Sequence, residues 1–120
     1  MKQKLFFIAG LLFAGMAAAQ QEIKIEELDK HIGDSVTVCT KIYGGIFLDR
    51  SKGTPTLLNA GADYPNAPLT VFIGAEARKL FKEAPEVFYK GKQVCITGKI
   101  ILYKEKPEIM LYEEKQITVQ

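Results

Sequence analysis

The chain has 120 residues, a formal net charge of +2, and 48% hydrophobic and 25% charged residues. This length excludes more than one well-packed domain beside a targeting segment, and the small net charge excludes nucleic-acid binding through bulk positive charge. One histidine and two distant cysteines do not supply the clustered ligands of a metal site. The sequence therefore predicts one small module without a metal or another cofactor.

Residues 1–19 have the pattern of a secretory signal peptide, with a basic start, an apolar run and small residues before the cut. Lys2 and Lys4 precede the apolar run 5–16, and the run ends in Ala17–Ala19. A membrane anchor is the alternative interpretation, but the apolar run is shorter than the roughly 20 residues that a spanning helix needs. We therefore expect cleavage after the third alanine.

The predicted mature domain, residues 20–120, is expected in the periplasm or outside the cell, and no membrane span is expected after cleavage. Two of the 16 basic residues lie in the signal peptide, so 14 remain and balance the 14 acidic residues. Arg50 and Arg78 are the only arginines. A polyanionic ligand would need a local basic patch, because the domain as a whole carries no excess positive charge.

A helix and a long strand are predicted at the start of the mature domain. Isoleucine and leucine recur at spacings of three and four over 25–32, and Gly33 follows, which predicts a short amphipathic helix. Apolar and polar residues then alternate over 36–42, which predicts a strand of β-branched residues. The pair Gly44–Gly45 indicates a bulge or bend, after which 46–48 continues the strand.

Two short strands and a second helix follow, separated by loops rich in glycine, proline and aspartate. The strands are predicted over 56–59 and 69–73. Over 77–84 the apolar residues fall on one helical face, and Pro85 ends this pattern. The sequence therefore predicts one helix of two to three turns before the last part of the chain.

The stretch Lys90–Val119 has the clearest hairpin signal. Apolar and polar residues alternate over 94–100 and again after the polar segment Tyr103–Pro107. Five short strands with one apolar face each bury that face economically by curling into one closed barrel. The helix before the hairpin is expected to plug one open end of this barrel with Leu80 and Phe81.

Three segments of the chain resemble small exported OB-fold proteins of bacteria, which are related to anticodon-binding-type (tRNA-anti-like) OB-fold domains. The segments are GGIFLD at 44–49, LLNAGADYPN at 57–66, and GKQVCITGKIILYKEKPEIML at 91–111 followed by Gln116–Ile117. The resemblance implies an all-β fold, a five-stranded Greek-key OB barrel with a short N-terminal helix and a helix between strands three and four. It also implies binding of nucleic acid or a small ligand, without an established reaction.

An OB fold implies that a ligand lies across the second and third strands, between the loop after strand one and the loop between strands four and five. The predicted ligand-binding residues are Tyr43, Arg50, Lys52, Tyr64, Tyr103, Lys104 and Lys106. Tyrosine rings stack on bases, and basic side chains contact phosphates. In the alternative interpretation, Phe47 belongs to the core, Tyr64 packs on its own loop, and the lysines are solvated beside Glu105 and Glu108.

Two functions fit the sequence. The first is an exported module that binds single-stranded nucleic acid or another anionic ligand. The second is a non-enzymatic envelope or stress-related protein that binds other proteins or small cationic ligands, which suits the neutral charge. In both cases we expect a monomer. We also expect no enzymatic activity, because His31 lies beside a predicted helix end and no catalytic set is recognisable around it.

Cys39 and Cys95 are both out of phase with the apolar residues around them, so both are expected to point outward from the barrel. The implied OB topology makes strands one and four antiparallel neighbours, which would bring the two cysteines within reach of a disulfide. An oxidising compartment favours that pairing. The alternative is two unpaired outward thiols in staggered register.

Overall fold

The computed structural model describes residues 21–120, so the predicted signal peptide lies outside the described part of the chain. Seven strands are present: β1 (Gln21–Ile23), β2 (Ser35–Phe47), β3 (Thr56–Ala60), β4 (Leu69–Ile73), β5 (Gln93–Tyr103), β6 (Lys106–Leu111) and β7 (Ile117–Val119). The helical segments are short: a 3-10 helix at Ile25–His31, α1 (Ala75–Arg78), α2 (Pro85–Phe88) and a 3-10 turn at Glu114–Gln116. In this described range, no helix is long and apolar enough to cross a membrane.

Five of the strands close into a barrel, and they correspond to the five predicted strands. β2 pairs with β3, β3 with β4, β4 with β6, β6 with β5, and β5 pairs with the first half of β2. The β4–β6 pair is parallel, whereas the other four pairs of the barrel are antiparallel. This is the strand arrangement of a five-stranded OB barrel, so the predicted all-β barrel is confirmed.

Alternation along the strands places branched apolar side chains inside the barrel. The largest fully buried side chains are Ile42, Leu58, Leu69, Ile73, Ile96, Ile100, Ile109, Leu111, Val36, Val38, Val71 and Val94. Burial of a side chain of this size contributes roughly 1.5–3 kcal/mol to the free energy of folding. The core therefore comes almost entirely from the inward face of the five barrel strands.

β2 reaches two neighbouring strands because it is 13 residues long and contains a β-bulge. Its first half, Ser35–Lys41, pairs with β5, and the register with β3 shifts between Ile42 and Gly44. Gly45 lies against the β3 backbone, since a Cβ there would be 2.5 Å from the Leu57 carbonyl oxygen. The bend predicted at the paired glycines is therefore a β-bulge. Gly45, which follows the bulge, allows β2 to pack closely against β3.

The first predicted helix occupies the expected position but is a 3-10 helix, Ile25–His31. Leu28 is buried in the core, and Ile25 packs against it from a half-buried position. Gly33 follows with φ +92°, the left-handed conformation that the sequence predicts after this segment. The helix is therefore anchored to the core mainly through one deeply buried leucine.

Two four-residue helices replace the single helix predicted over 77–84. α1 ends at Arg78, and α2 begins at Pro85, which suits the first position of a helix because it has no N–H to leave unpaired. Between the helices, Phe81 enters the core and meets the Tyr89 ring edge-on, with 6.4 Å between centroids. Leu80 is 62% exposed. Phe81 is thus buried in the core, whereas the expectation that Leu80 helps to plug the barrel is wrong.

β1 and β7 extend the barrel wall beyond the predicted strands. β1 runs parallel to β2, and β7 runs antiparallel to β5. Each contains three residues, which is too short for a period of two to be recognised in the sequence. β1 pairs with the second edge of β2 and β7 with the second edge of β5, so part of each strand has a partner strand on both edges.

Cys39 and Cys95 form a disulfide, which confirms the predicted pairing. The two residues lie directly opposite each other in the β2–β5 register, with 3.9 Å between their Cα atoms. The next outward pair in this register is Thr37 and Thr97, whose hydroxyl groups are hydrogen-bonded at 2.9 Å. We call this region, where Ser35–Lys41 pairs with β5, the disulfide wall.

Candidate ligand-binding face

The second half of β2 forms, with β3, β4 and β6, a region that we call the cleft wall. The strand registers align its outward side chains in two rows. One row is Gly44, Asn59, Thr70 and Glu108, and the other is Ile46, Leu57, Phe72 and Met110. Leu58, Val71 and Ile109, which alternate with these residues, are buried in the barrel. The cleft wall therefore presents one polar row beside one apolar row.

A cleft of about 610 Å³ lies on the cleft wall, above β2, β3 and β4. Its lining residues are Tyr43, Gly44, Gly45, Ile46, Leu48, Leu57, Asn59, Asp63, Tyr64, Thr70 and Lys90. Tyr43 is 39% exposed and Tyr64 is 79% exposed, so both rings offer surface to a ligand. A mainly apolar lining with a few polar groups is typical of small-ligand sites.

Different backbone features position the two tyrosines. Tyr43 lies at the bulge, between the two residues where the register shifts. The Tyr64 N–H donates a hydrogen bond to Oδ1 of Asp63 at 2.9 Å, and the Asn66 N–H donates to the Asp63 carbonyl oxygen at 2.7 Å. Asp63 therefore organises the β3–β4 loop that brings Tyr64 to the cleft.

Two lysines supply positive charge near these rings. Nζ of Lys41 lies 4.9 Å from the centroid of the Tyr43 ring. Lys90 lines the cleft, and its segment is tied to β2 because the Gly91 N–H donates to the Ile42 carbonyl oxygen at 2.7 Å. One lysine thus lies beside the Tyr43 ring, and the other belongs to the cleft lining.

Glu108, in the polar row, is unusual because it is only 5% exposed. Burial raises the pKa of its carboxyl group above the usual range. Within residues 21–120, its side chain forms no hydrogen bond or ion pair, and no fully enclosed side-chain nitrogen or oxygen lacks a partner. The carboxyl tip therefore keeps a narrow contact with solvent on the outer face.

Two of the seven predicted ligand-binding residues, Tyr43 and Tyr64, line the cleft. Arg50 and Lys52 are exposed in the loop between β2 and β3 and do not line it. The alternative expectation that Tyr64 packs on its own loop is not met, since most of its surface is exposed. The structure thus brings together the two tyrosines, while ligand binding by the two basic residues stays a prediction.

The remaining predicted residues form the tight turn between β5 and β6. Tyr103 pairs with Lys106, and Lys104 and Glu105 between them have φ values of +51° and +67°. Nζ of Lys104 lies 5.4 Å from the centroid of the exposed Tyr103 ring. This turn presents an aromatic ring and a cation of its own, but none of its residues lines the cleft.

Arg78 covers one face of the half-buried Phe47 ring. The guanidinium carbon of Arg78 lies 3.7 Å from the centroid of the Phe47 ring. Arg78 also donates hydrogen bonds to Oγ1 of Thr56 at 2.7 Å and to both carboxylate oxygens of Glu86 at 2.7 and 3.2 Å. The bonded guanidinium lowers the pKa of the Glu86 carboxyl. This cluster fastens α1 and α2 to β2 and β3.

Sequence reasoning missed Asn59, Thr70 and Lys90 as lining residues and Glu108 as their neighbour. Asn59 and Thr70 do occupy polar positions between buried residues of their strands, which is a signal for an outward face. Their alignment with Glu108 depends on the register of a parallel pair between β4 and β6. No local pattern in the sequence specifies that register.

The described residues contain no group of three or more histidine, cysteine, aspartate or glutamate side chains placed to hold a metal ion. His31 has a local partner, since its Nδ1 lies 3.1 Å from Oδ2 of Asp34. This pair lies at the end of the first 3-10 helix. The histidine therefore lies at a helix end, as the sequence predicts, and its ring contacts a nearby aspartate.

No protein-family model and no curated protein matches this sequence. The crystal structure of yeast Stn1 and Ten1 is similar with a TM-score of 0.59 and 13% identity, over 86% of this chain and 64% of that chain. A protein described as an aspartyl-tRNA synthetase from Leishmania major Friedlin is similar with a TM-score of 0.51 and 11% identity, over 85% and 21%. This chain spans less than two thirds of either chain, and the likeness shows the OB fold.

Proposed function

We propose that this chain is an exported OB-fold module that binds single-stranded nucleic acid in the cleft between Tyr43 and Tyr64. The observation that carries the proposal is the presence of two exposed tyrosine rings in one cleft on the outer face of β2, β3 and β4. Stacking of a base on an aromatic ring contributes roughly 1–3 kcal/mol to binding. Unpaired strands offer such base faces, whereas a duplex conceals them.

The charges near the cleft favour a complex that depends only weakly on salt. Lys41 and Lys90 supply two cations, while basic and acidic residues balance over the described chain. Two phosphate contacts with a single strand correspond to a slope of about −1.4 in log K against log salt concentration. Stacking would then contribute more to the binding free energy than the release of counterions does.

Export and cleavage after Ala19 are part of this proposal, as are a monomeric state and a role without catalysis. The disulfide supports export, because such bonds persist mainly in oxidising compartments. One similar structure is described as an aspartyl-tRNA synthetase, a name that contains an RNA. That name supports a nucleic-acid ligand through the shared fold.

The proposal is tested by fluorescence titration of labelled single-stranded oligonucleotides with the mature chain at low and at high salt. Tyr43→Ala and Tyr64→Ala are each expected to weaken binding by about tenfold or more. Tyr112→Ala is the matched control, since Tyr112 is exposed and does not line the cleft. Absence of binding at low salt overturns the proposal, and an equal loss in the control places the site elsewhere.

An envelope protein is a second candidate ligand, because the apolar row of the cleft wall is partly open. Ile46 is 52% exposed beside the half-buried Leu57 and next to the cleft tyrosines. A pull-down from the envelope fraction with the wild-type chain and with Ile46→Asp separates the candidates. A partner that is lost with Ile46→Asp, together with no oligonucleotide binding, favours a protein ligand.

A further inference from the structure

We propose that the cleft wall selects guanine, with the Glu108 carboxylate accepting hydrogen bonds from N1–H and the exocyclic amino group of an unpaired base. This inference rests on the proposed function, because it requires a base in the cleft beside Tyr64. It adds a choice of base to a site that stacking alone would leave indifferent to sequence, since every base has a face that can stack.

Glu108 lies one strand away from the cleft on the same outer face. Its register partner in β4 is Thr70, which lines the cleft, and the partner of Thr70 in β3 is Asn59. Neighbouring strands are about 4.8 Å apart, so the three residues span about 10 Å across the wall. A purine stacked in the cleft can therefore direct one edge towards Glu108, with Thr70 and Asn59 beneath the ring.

The Glu108 side chain forms no ion pair with another described residue. β5 places Ile101 opposite Glu108, and Thr70 from β4 and Met110 from β6 are further neighbours on the outer face. Lys106, two residues earlier on the same face of β6, is exposed at the β5–β6 turn. A buried carboxylate without a bonded donor costs free energy, and a ligand that brings donors offsets that cost.

Guanine is the base whose donors match a carboxylate. Its Watson–Crick edge presents N1–H and the exocyclic N–H side by side, and two carboxylate oxygens accept both. Adenine and cytosine each place one amino donor beside an acceptor nitrogen, while thymine and uracil place one N–H between two carbonyl oxygens. This edge is free in a single strand and occupied in a duplex, so the inference agrees with the unpaired form of the ligand.

The experiment uses oligothymidines of one length in which the central base is thymine, adenine, cytosine or guanine, titrated with the mature chain. The guanine oligonucleotide is expected to bind about tenfold or more tightly than the other three. Hypoxanthine lacks the exocyclic amino group, so in place of guanine it should lose most of this gain. Glu108→Gln exchanges one acceptor oxygen for an amide donor and should bring the guanine-to-thymine affinity ratio close to one.

Each outcome bears on a different statement. Equal affinity for the four oligonucleotides overturns guanine selection and leaves the nucleic-acid site in place, whereas absence of binding overturns both. A guanine preference that persists in Glu108→Gln overturns the role of Glu108. The hypoxanthine comparison uses the unaltered chain, so it tests recognition of the exocyclic amino group even if Glu108→Gln does not fold. Tyr112→Ala is the control and should keep the wild-type preference for guanine.

Discussion

The disulfide wall and the cleft wall share β2 but differ in what joins their strands on the outside. On the disulfide wall, Cys39 is bonded to Cys95 and Thr37 to Thr97, so side chains link β2 and β5 directly. On the cleft wall, the polar row ends in Glu108, whose side chain forms no ion pair with another described residue. Side-chain cross-links between strands are therefore concentrated on the disulfide wall, and the polar side chains of the cleft wall remain available for a ligand.

The largest expected effect comes from breaking the disulfide wall. Replacement of both Cys39 and Cys95 by alanine removes a cross-link between residues 56 positions apart, and should lower the free energy of unfolding by about 4 kcal/mol. Urea unfolding of the variant and the wild type measures this loss. The cleft lies on the other wall, so ligand affinity under native conditions should change little. A loss of affinity equal to that of Tyr64→Ala would show that the two walls are coupled.

Substitution of the two paired glycines tests the packing of the barrel and the shape of the cleft separately. Gly45→Ala places a methyl group against the backbone of β3, where little space exists, and should destabilise the fold by about 1–3 kcal/mol. Gly44→Ala is the matched control, because its Cβ would meet only Oδ1 of Asp63, at 3.9 Å. It should leave the unfolding midpoint nearly unchanged and narrow the cleft. Similar destabilisation by both changes would contradict this distinction.

Tyr64 and Tyr103 distinguish the cleft from the β5–β6 turn as the place of binding. Tyr64→Ala should reduce the binding free energy for a single strand by roughly 1–3 kcal/mol, as expected for one lost stacking surface. Tyr103→Ala should have a much smaller effect, because Tyr103 does not line the cleft. Titration of both variants with the same oligonucleotide measures the difference. A larger loss for Tyr103→Ala would favour the β5–β6 turn, which the sequence also predicts as part of the interface.

The smallest expected effects concern two carboxyl groups with opposite dependence on pH. The pKa of Glu86 is lowered in the fold by Arg78, so its contribution is present above the ordinary value of 4.5 and disappears as the pH falls through the lowered pKa. The pKa of Glu108 is raised by burial, so stability declines as the pH rises through the raised value.

Unfolding measured from acidic to neutral pH should show these signs in two matched variants. Glu86→Gln should be less stable than the wild type at neutral pH, by about 0.2–1 kcal/mol for a partly exposed ion pair. Glu108→Gln should be more stable than the wild type at neutral pH. Both differences should shrink in acid, and parallel pH profiles for the two variants would contradict the assignment.

The barrel was predictable because its strands follow a period of two and are separated by glycine and proline. The same periodicity set Cys39 and Cys95 outward, and the implied topology made them neighbours. The segment around Pro85 was less predictable, since proline both stops one helical pattern and suits the start of another. Tertiary packing of Phe81 decided between these outcomes, and it left Leu80 in solvent.

The candidate site was predictable only in part. Tyr43 and Tyr64 were predicted as stacking rings beside the ligand face that an OB fold implies, and both line the cleft. The row of Asn59, Thr70 and Glu108 joins three strands, of which the last is about 38 residues from the second along the chain. Strand registers create this row, and a carboxylate buried by its neighbours leaves no mark in the local sequence.

The disulfide also determines how the chain responds to a protease. Residues 39–95 form one covalent ring that contains β3, β4, both α-helices and the two loops beside the cleft. A single cut in the exposed β2–β3 loop, 49–55, therefore opens the ring without dividing the molecule. The two pieces separate only after a reductant cleaves the Cys39–Cys95 bond, so a nicked chain can persist as one particle in an oxidising environment.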